Sequence, residues 1–346
     1  MMLVSGELHK KLRSVAVSFI NVSKSRPHFL DYVDKMSVSL IDSWKAKRQV
    51  FFFKEAKELT FYLMLKNLVS IEPEDPLAAK VLGDFLTFME GFVSLPLYIP
   101  GTAYSKAINA RRRISSTLKD VIKRRENMVT GTNVRGDFLD EILANVCLNY
   151  EEKVSVLLDL LLAGYETTSG LMALVVYFLA QAPSSLQKLQ DEHRAVRKRK
   201  KDGKPLNWED YKNMEFTSHV INEALRCGNL VKFVHRKALK DVKFKAHPHF
   251  PSPPCCLPAA ATSGSPAKSA SSPRCFSHFA RILAVGGLLL RLVVGGGMRD
   301  PATSRKVTPY GGGLRICPGA ELGGKQEKKI VQSLALGVQE GFVAGY

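Results

Sequence analysis

The chain has 346 residues, 45% of them hydrophobic, with six cysteines and a formal net charge of +18. That length makes one large domain or two ordinary ones, and the apolar fraction is that of a globular protein. Cysteines without paired spacing exclude a disulfide framework and point to a reducing, cytosol-facing environment. The positive charge invites an anionic partner. Its densest run, from His193 to Lys201, has no interleaved aromatic residues and reads as a solvated helix end, not a nucleic-acid surface.

At the N-terminus charge arrives at Glu7, too soon for a secretory leader. Residues 1–245 read as a continuous helical protein. Apolar residues recur at three- and four-residue spacing, as in Phe29, Tyr32, Val33, Met36 and Leu40. Pro73, Pro76, Pro96, Pro100, Pro183 and Pro205 punctuate the helices. On the first helix His9 and Arg13 stand one turn apart. The longest apolar tract, Val154 to Gln181, could span a bilayer by length. It contains Asp159, Glu166, Thr167 and Thr168, which are costly in lipid, so a long core helix is expected.

Within that tract lies Ala163-Gly164-Tyr165-Glu166-Thr167-Thr168-Ser169. Glycine leaves space and weakens a helix, while threonine hydroxyls compete for backbone carbonyls and bend it. The expectation is an opened groove in which an acid and a hydroxyl face a cavity, an arrangement suited to proton relay. Glu223 and Arg226 fall on one helix face and can pair. Strand-like alternation is sparse; its best case is Val231 to Arg236.

At Ala246 the composition breaks. Residues 246–306 are rich in Pro, Ser, Ala and Gly and read as a low-complexity insert, disordered or mistranslated. His247, His249, Cys255, Cys256, Cys275 and His278 match no zinc-ligand spacing. Residues 307–322 carry a distinct loop, Tyr310-Gly311-Gly312-Gly313-Leu314-Arg315-Ile316-Cys317-Pro318-Gly319, and residues 323–346 are a divergent tail. The glycines permit positive φ and close backbone approach, the loop's N–H groups can point at the sulfur, and Arg315 can pair with an anion. That suits a thiolate held against a metal centre. A phosphate-cradling P-loop would need a terminal Gly-Lys-Ser/Thr, which is missing.

The decapeptide resembles the haem-binding loop of the cytochrome P-450 family, the haem-thiolate monooxygenases. The resemblance implies Cys317 as the axial iron ligand, in a loop shaped by Gly311, Gly313 and Gly319. It also implies that His9, Arg13 and Arg315 hold the haem propionates. Glu166 and Thr167 resemble the acid-threonine pair that delivers protons on the family's oxygen-activating helix. Glu223 and Arg226 resemble its structural Glu-x-x-Arg pair. The wording of Gly228 to Asp241, Leu161 to Ser169 and Arg26 to Leu30 is similar to the plant brassinosteroid branch, above all to steroid C-22 hydroxylases.

That branch implies hydroxylation of a sterol side chain, with electrons from NADPH through a flavoprotein reductase, and no nucleic-acid partner. It also implies residence on the cytosolic face of the endoplasmic reticulum membrane. The expected fold is mainly α, of P-450 type with small β elements, and incomplete. Family members carry a membrane anchor and further elements before the propionate helix, where this chain begins. They also have an aromatic-Pro-Glu-Arg-Phe-like segment that braces the Glu-x-x-Arg pair. Nothing between Lys245 and Val307 matches that segment, and Gly323 to Lys329 replaces an apolar helix. Intron or frame-shifted translation would account for both departures, an expectation that the spliced transcript tests. The alternative reading is a truncated, inactive relative that does not hold haem stably.

Overall fold

The computed structural model describes residues 6–25, 29–92, 94–128, 137–144, 148–200, 206–228, 230–231, 242–244, 247–250, 310–313, 316–320 and 328–332. Ten helices precede a small hairpin among them: α1 (Gly6–Ser25), α2 (Phe29–Trp44), α3 (Phe52–Val69), α4 (Pro76–Glu90), α5 (Ala103–Met128), α6 (Phe138–Ala144), α7 (Tyr150–Ala180), α8 (Pro183–Lys198), α9 (Trp208–Lys212) and α10 (Glu215–Gly228). The chain divides into two compact units. The first comprises residues 1–169, 202–211 and 318–345; the second comprises 170–201 and 212–317 with Tyr346.

Local chemistry sets the helix ends in the first unit. Asp75 caps α4, its Oδ1 accepting from Leu77 N at 2.8 Å, and Pro76 occupies the first turn, where no N–H is needed. α7 begins with a reciprocal capping box. Asn149 Oδ1 accepts from Glu152 N at 2.8 Å, and Glu152 Oε2 accepts from Asn149 N at 3.0 Å. Lys11 on α1 donates to the same Glu152 oxygen at 2.9 Å, and these contacts hold that carboxyl below the usual carboxylate range. Gly91 closes α4 because nothing larger fits: a Cβ there would lie 2.1 Å from Ala107 Cβ and 2.8 Å from Ala103 O.

The core of this unit is aromatic at its centre. Phe61, Phe85 and Tyr165 are buried, with ring centroids 5.0 to 6.3 Å apart. Phe19 of α1 meets Phe138 of α6 edge-on at 4.8 Å. Arg125, at the end of α5, is buried and forks onto Asp137 at 2.7 and 2.8 Å, with a further bond to Asp140 at 2.6 Å. The fork ties α5 to α6 across the connection between them.

On α2 the buried face is Phe29, Leu30, Val33, Ser37, Ile41 and Trp44. Of the apolar spacing read from the sequence, Phe29 and Val33 lie in this face, while Tyr32, Met36 and Leu40 sit at its margin. Ser37 takes a core position because its hydroxyl donates to Val33 O at 2.7 Å, removing the cost of burying it.

The expected divergent tail contains a folded piece. Residues 328–332 form a helical turn with Lys329, Ile330, Val331 and Gln332 all buried. Lys329 Nζ lies 3.1 Å from Asp34 Oδ1, Tyr211 Oη donates to Gln332 Oε1 at 3.1 Å, and Lys328 Nζ donates to Tyr211 O at 2.8 Å. A buried lysine survives only with such pairing.

In the second unit α8 packs on α10. The local N-cap position of α10 is Met214, which cannot cap. Glu192 of α8 does so from outside, accepting from Phe216 N and Thr217 N at 2.8 Å each and from Thr217 Oγ1 at 2.6 Å. Buried His193 adds a 2.7 Å bond from Nε2 to Thr217 Oγ1. Since Thr217 gives its proton to Glu192, His193 is the donor in that bond. β1 (Val242–Phe244) and β2 (His247–Phe250) form an antiparallel pair, with Val242 opposite Phe250 and Phe244 opposite His247. The register slips by one residue between them, as a bulge does. β2 lies beyond residue 245, where a composition break was expected. Of the stretch expected to be strand-like, Val231 is a bend and residues 232–236 lie outside the described residues.

Candidate active site

Three left-handed residues shape the cysteine loop: Tyr310 at φ 63°, Gly311 at 80° and Gly313 at 66°. For the glycines this costs little; for an aromatic residue it is a strained conformation of the kind found at functional sites. Two backbone bonds close the turn, Ile316 N to Gly313 O at 3.1 Å and Cys317 N to Tyr310 O at 3.0 Å. These two N–H groups therefore serve the turn and not the sulfur. Cys317 is exposed, and a Cβ on Gly311, Gly312 or Gly313 would meet nothing within 4 Å. Gly319 follows in a turn; Arg315 lies outside the described residues.

A bare metal ion needs three or four protein ligands. No cluster of three His, Cys, Asp or Glu side chains stands ready among the described residues. One accessible thiol on an open glycine turn would suit an iron that arrives already held in a macrocycle and takes one protein sulfur. Cys227, the other described cysteine, differs in kind. Burial pushes its thiol up to about 12, partly opposed by Arg226, whose Nη2 donates to its sulfur at 2.9 Å. It is a half-buried thiol that keeps its proton at neutral pH.

Glu166 and Thr167 sit on α7 in the first unit. The helix runs unbroken through them, so the groove expected from Gly164 and the threonines is not a break in the helix. Thr167 does bond back as expected, its hydroxyl donating to Ala163 O at 2.6 Å, and its side chain is exposed. Gly164 admits α3 closely: a Cβ there would fall 2.5 Å from Met64 Sδ. Glu166 Oε2 is buried and lies 3.3 Å from Lys57 Nζ on α3, although the side chain as a whole is about half exposed. The sequence reading missed Lys57. Tyr165 packs beneath, and burial, assisted by Glu166 and Glu58, pushes its phenol up to about 12.

His9 and Arg13 are half-buried on α1, also in the first unit. In the second unit Glu223 and Arg226 do pair, and bidentately: Nε to Oε2 at 2.9 Å and Nη2 to Oε1 at 2.8 Å. Glu223 is buried, and the pairing pushes the Arg226 guanidinium further above its ordinary value.

The family model for Cytochrome P450 matches residues 1–252. This chain belongs to the cytochrome P450 family. Cytochrome P450 724B1 of Oryza sativa subsp. japonica is 44% identical over 331 residues, covering 93% of this chain and 65% of that protein. The Steroid (22S)-hydroxylase of the same organism is 33% identical over 327 residues, covering 93% of this chain and 62% of that one. The chain thus spans just under two thirds of the length of these P450 relatives. Among solved structures, a retinoic acid-bound cyanobacterial CYP120A1 aligns with a TM-score of 0.75 over 96% of this chain and 72% of that one. At 21% identity that likeness shows the P450 fold alone. The mainly helical architecture described above is therefore a P450 fold.

Proposed function

We propose that this chain is, or is part of, a haem-thiolate monooxygenase that hydroxylates a plant sterol side chain at C-22 in brassinosteroid biosynthesis. The observation that carries the reading is the exposed Cys317 thiol on its left-handed glycine turn, in a chain of the P450 family. The sterol and the position rest on the names of relatives such as the Steroid (22S)-hydroxylase. When bound, haem would supply the one-electron and dioxygen chemistry, fed from NADPH by a flavoprotein reductase.

The protein's own residues do the rest. Cys317 would give its thiolate to the iron, and Gly311, Gly313 and Gly319 would keep the backbone beside it bare enough for a flat macrocycle to approach. His9, Arg13 and Arg315 would hold the propionates, arginine matching a carboxylate with two parallel bonds. Thr167 gives its hydroxyl proton to Ala163 O, so its lone pairs remain to receive one, and Glu166 beside it is the acid that would supply it. Glu223 and Arg226 would act only by bracing α10. Residence at the endoplasmic reticulum membrane belongs to the same proposal.

Reconstitution tests it. The haem-loaded chain, a plant P450 reductase, NADPH and a C-22-unsubstituted sterol should yield the 22-hydroxysterol by mass spectrometry. A haem-loaded, reducible protein that turns over no sterol would refute the substrate assignment.

A further inference from the structure

We infer that Lys57 on α3 is a positioning residue for Glu166, latching its carboxylate in place for proton delivery; this rests on the proposed proton role of Glu166. Three observations converge. Glu166 Oε2 is buried without a hydrogen-bond partner, yet Lys57 Nζ stands 3.3 Å away. The contact is one of charge and not of an aligned hydrogen bond. Such a latch fixes where the carboxylate sits while leaving it able to turn, because no directional bond breaks when it rotates. The side chain is about half exposed even though Oε2 is sealed, which leaves the remainder of the carboxylate as the accessible edge.

The lysine is itself held. Its Nζ lies 4.4 Å from the centroid of the Phe53 ring, one turn earlier on α3, and 5.5 Å from that of Tyr165 on α7, both within cation–π range. Thr60, on the same face of α3, reaches Tyr165 O at 3.2 Å, and Met64 fills the space at Gly164. Lys57, Thr60 and Met64 thus form one stripe of α3 that grips α7 over the acid's own turn. The other charged or titratable groups at this contact are Glu58 on α3 and Tyr165 itself. Its side chain is about three-quarters covered, and it meets the Glu166 carboxylate and two rings.

The test uses the full haem-loaded chain with lysine Cε labelled with carbon-13, and the variants Lys57→Met, Lys57→Arg and Glu166→Gln. In wild type the Lys57 Cε protons should be displaced upfield by the Phe53 ring, and Glu166→Gln should release them toward ordinary values. In turnover, Glu166→Gln should raise the ratio of hydrogen peroxide to hydroxylated sterol by about 10²-fold, the scale of a lost proton donor. Lys57→Met should raise it about tenfold, below the full acid–base effect. Lys57→Arg keeps the charge and should restore most of the coupling, a rescue that a merely structural lysine would not show. The proposal falls alone, with the proton role of Glu166 intact, if Glu166→Gln uncouples the reaction while Lys57→Met does not. It also falls if the Lys57 signals ignore Glu166→Gln. If Glu166→Gln leaves the ratio unchanged although the Lys57 signals move, the relay reading fails and takes the role of Lys57 with it.

Discussion

The helix-borne candidate residues and the turn-borne one are held by different physics. Glu166 and Thr167 stand on a continuous helix whose neighbour α3 supplies a cation, a hydroxyl and a thioether against the same turn. Glu223 and Arg226 hold each other in a buried fork, on a helix whose first turn is capped by Glu192 from α8. Cys317 is placed by its own backbone: three left-handed residues and two hydrogen bonds between Tyr310 and Cys317. Helical side chains are thus fixed by packing at a distance, and the thiol by local φ angles. Substitutions should therefore fail for different reasons in the two places.

The largest effect is expected at the fork. Arg226→Met leaves Glu223 buried without its partner and should cost about 3–5 kcal/mol in urea unfolding. A loss under 1 kcal/mol would mean that solvent reaches Glu223 freely. Next comes Gly164→Val, where overpacking against Met64 should cost about 2 kcal/mol. Combining it with Met64→Ala should recover part of that loss, by about 1–2 kcal/mol relative to additivity. Strict additivity would show that the two residues do not meet.

At the turn, Gly313→Ala should cost about 1–2 kcal/mol through its positive φ alone, since a Cβ there meets nothing. Gly313→Asn should cost less, because asparagine tolerates the left-handed region. Equal costs for the two would point to crowding and contradict the local account.

The last effect, confined to alkaline conditions, is a pH dependence. The Tyr165 phenol is pushed from its ordinary value of about 10 up to about 12 by burial, so the folded chain keeps a proton that the unfolded chain releases. Its contribution is full below pH 10 and is lost as the pH rises toward 12. Tyr165→Phe should remove that part of the alkaline decline. Identical slopes for wild type and variant would place Tyr165 in contact with water.

What the sequence disclosed follows the same division. The cysteine loop was legible because glycine, cysteine and proline at fixed spacing are a local instruction, and the structure places left-handed residues at Gly311 and Gly313. The Glu223–Arg226 pair was legible as an i, i+3 spacing on one helix. Lys57 was not, because it reaches Glu166 from a helix more than a hundred residues earlier, and only packing brings them together. For the same reason Lys329 and Gln332 read as part of a divergent tail, although they are buried beside Asp34 and Tyr211. On α2 Phe29 and Val33 were legible from apolar spacing, but Ser37 was not, because only an internal hydrogen bond lets it act as a core residue.

The central claim is that Cys317 presents its thiolate to haem iron. It is tested most directly by expressing the chain with a haem supply, reducing it under carbon monoxide and recording the Soret region beside Cys317→Ser. The account predicts the red-shifted band of a thiolate-bound iron in wild type and its loss in Cys317→Ser. A folded, soluble wild-type chain without that band, or a band that persists in Cys317→Ser, would contradict it.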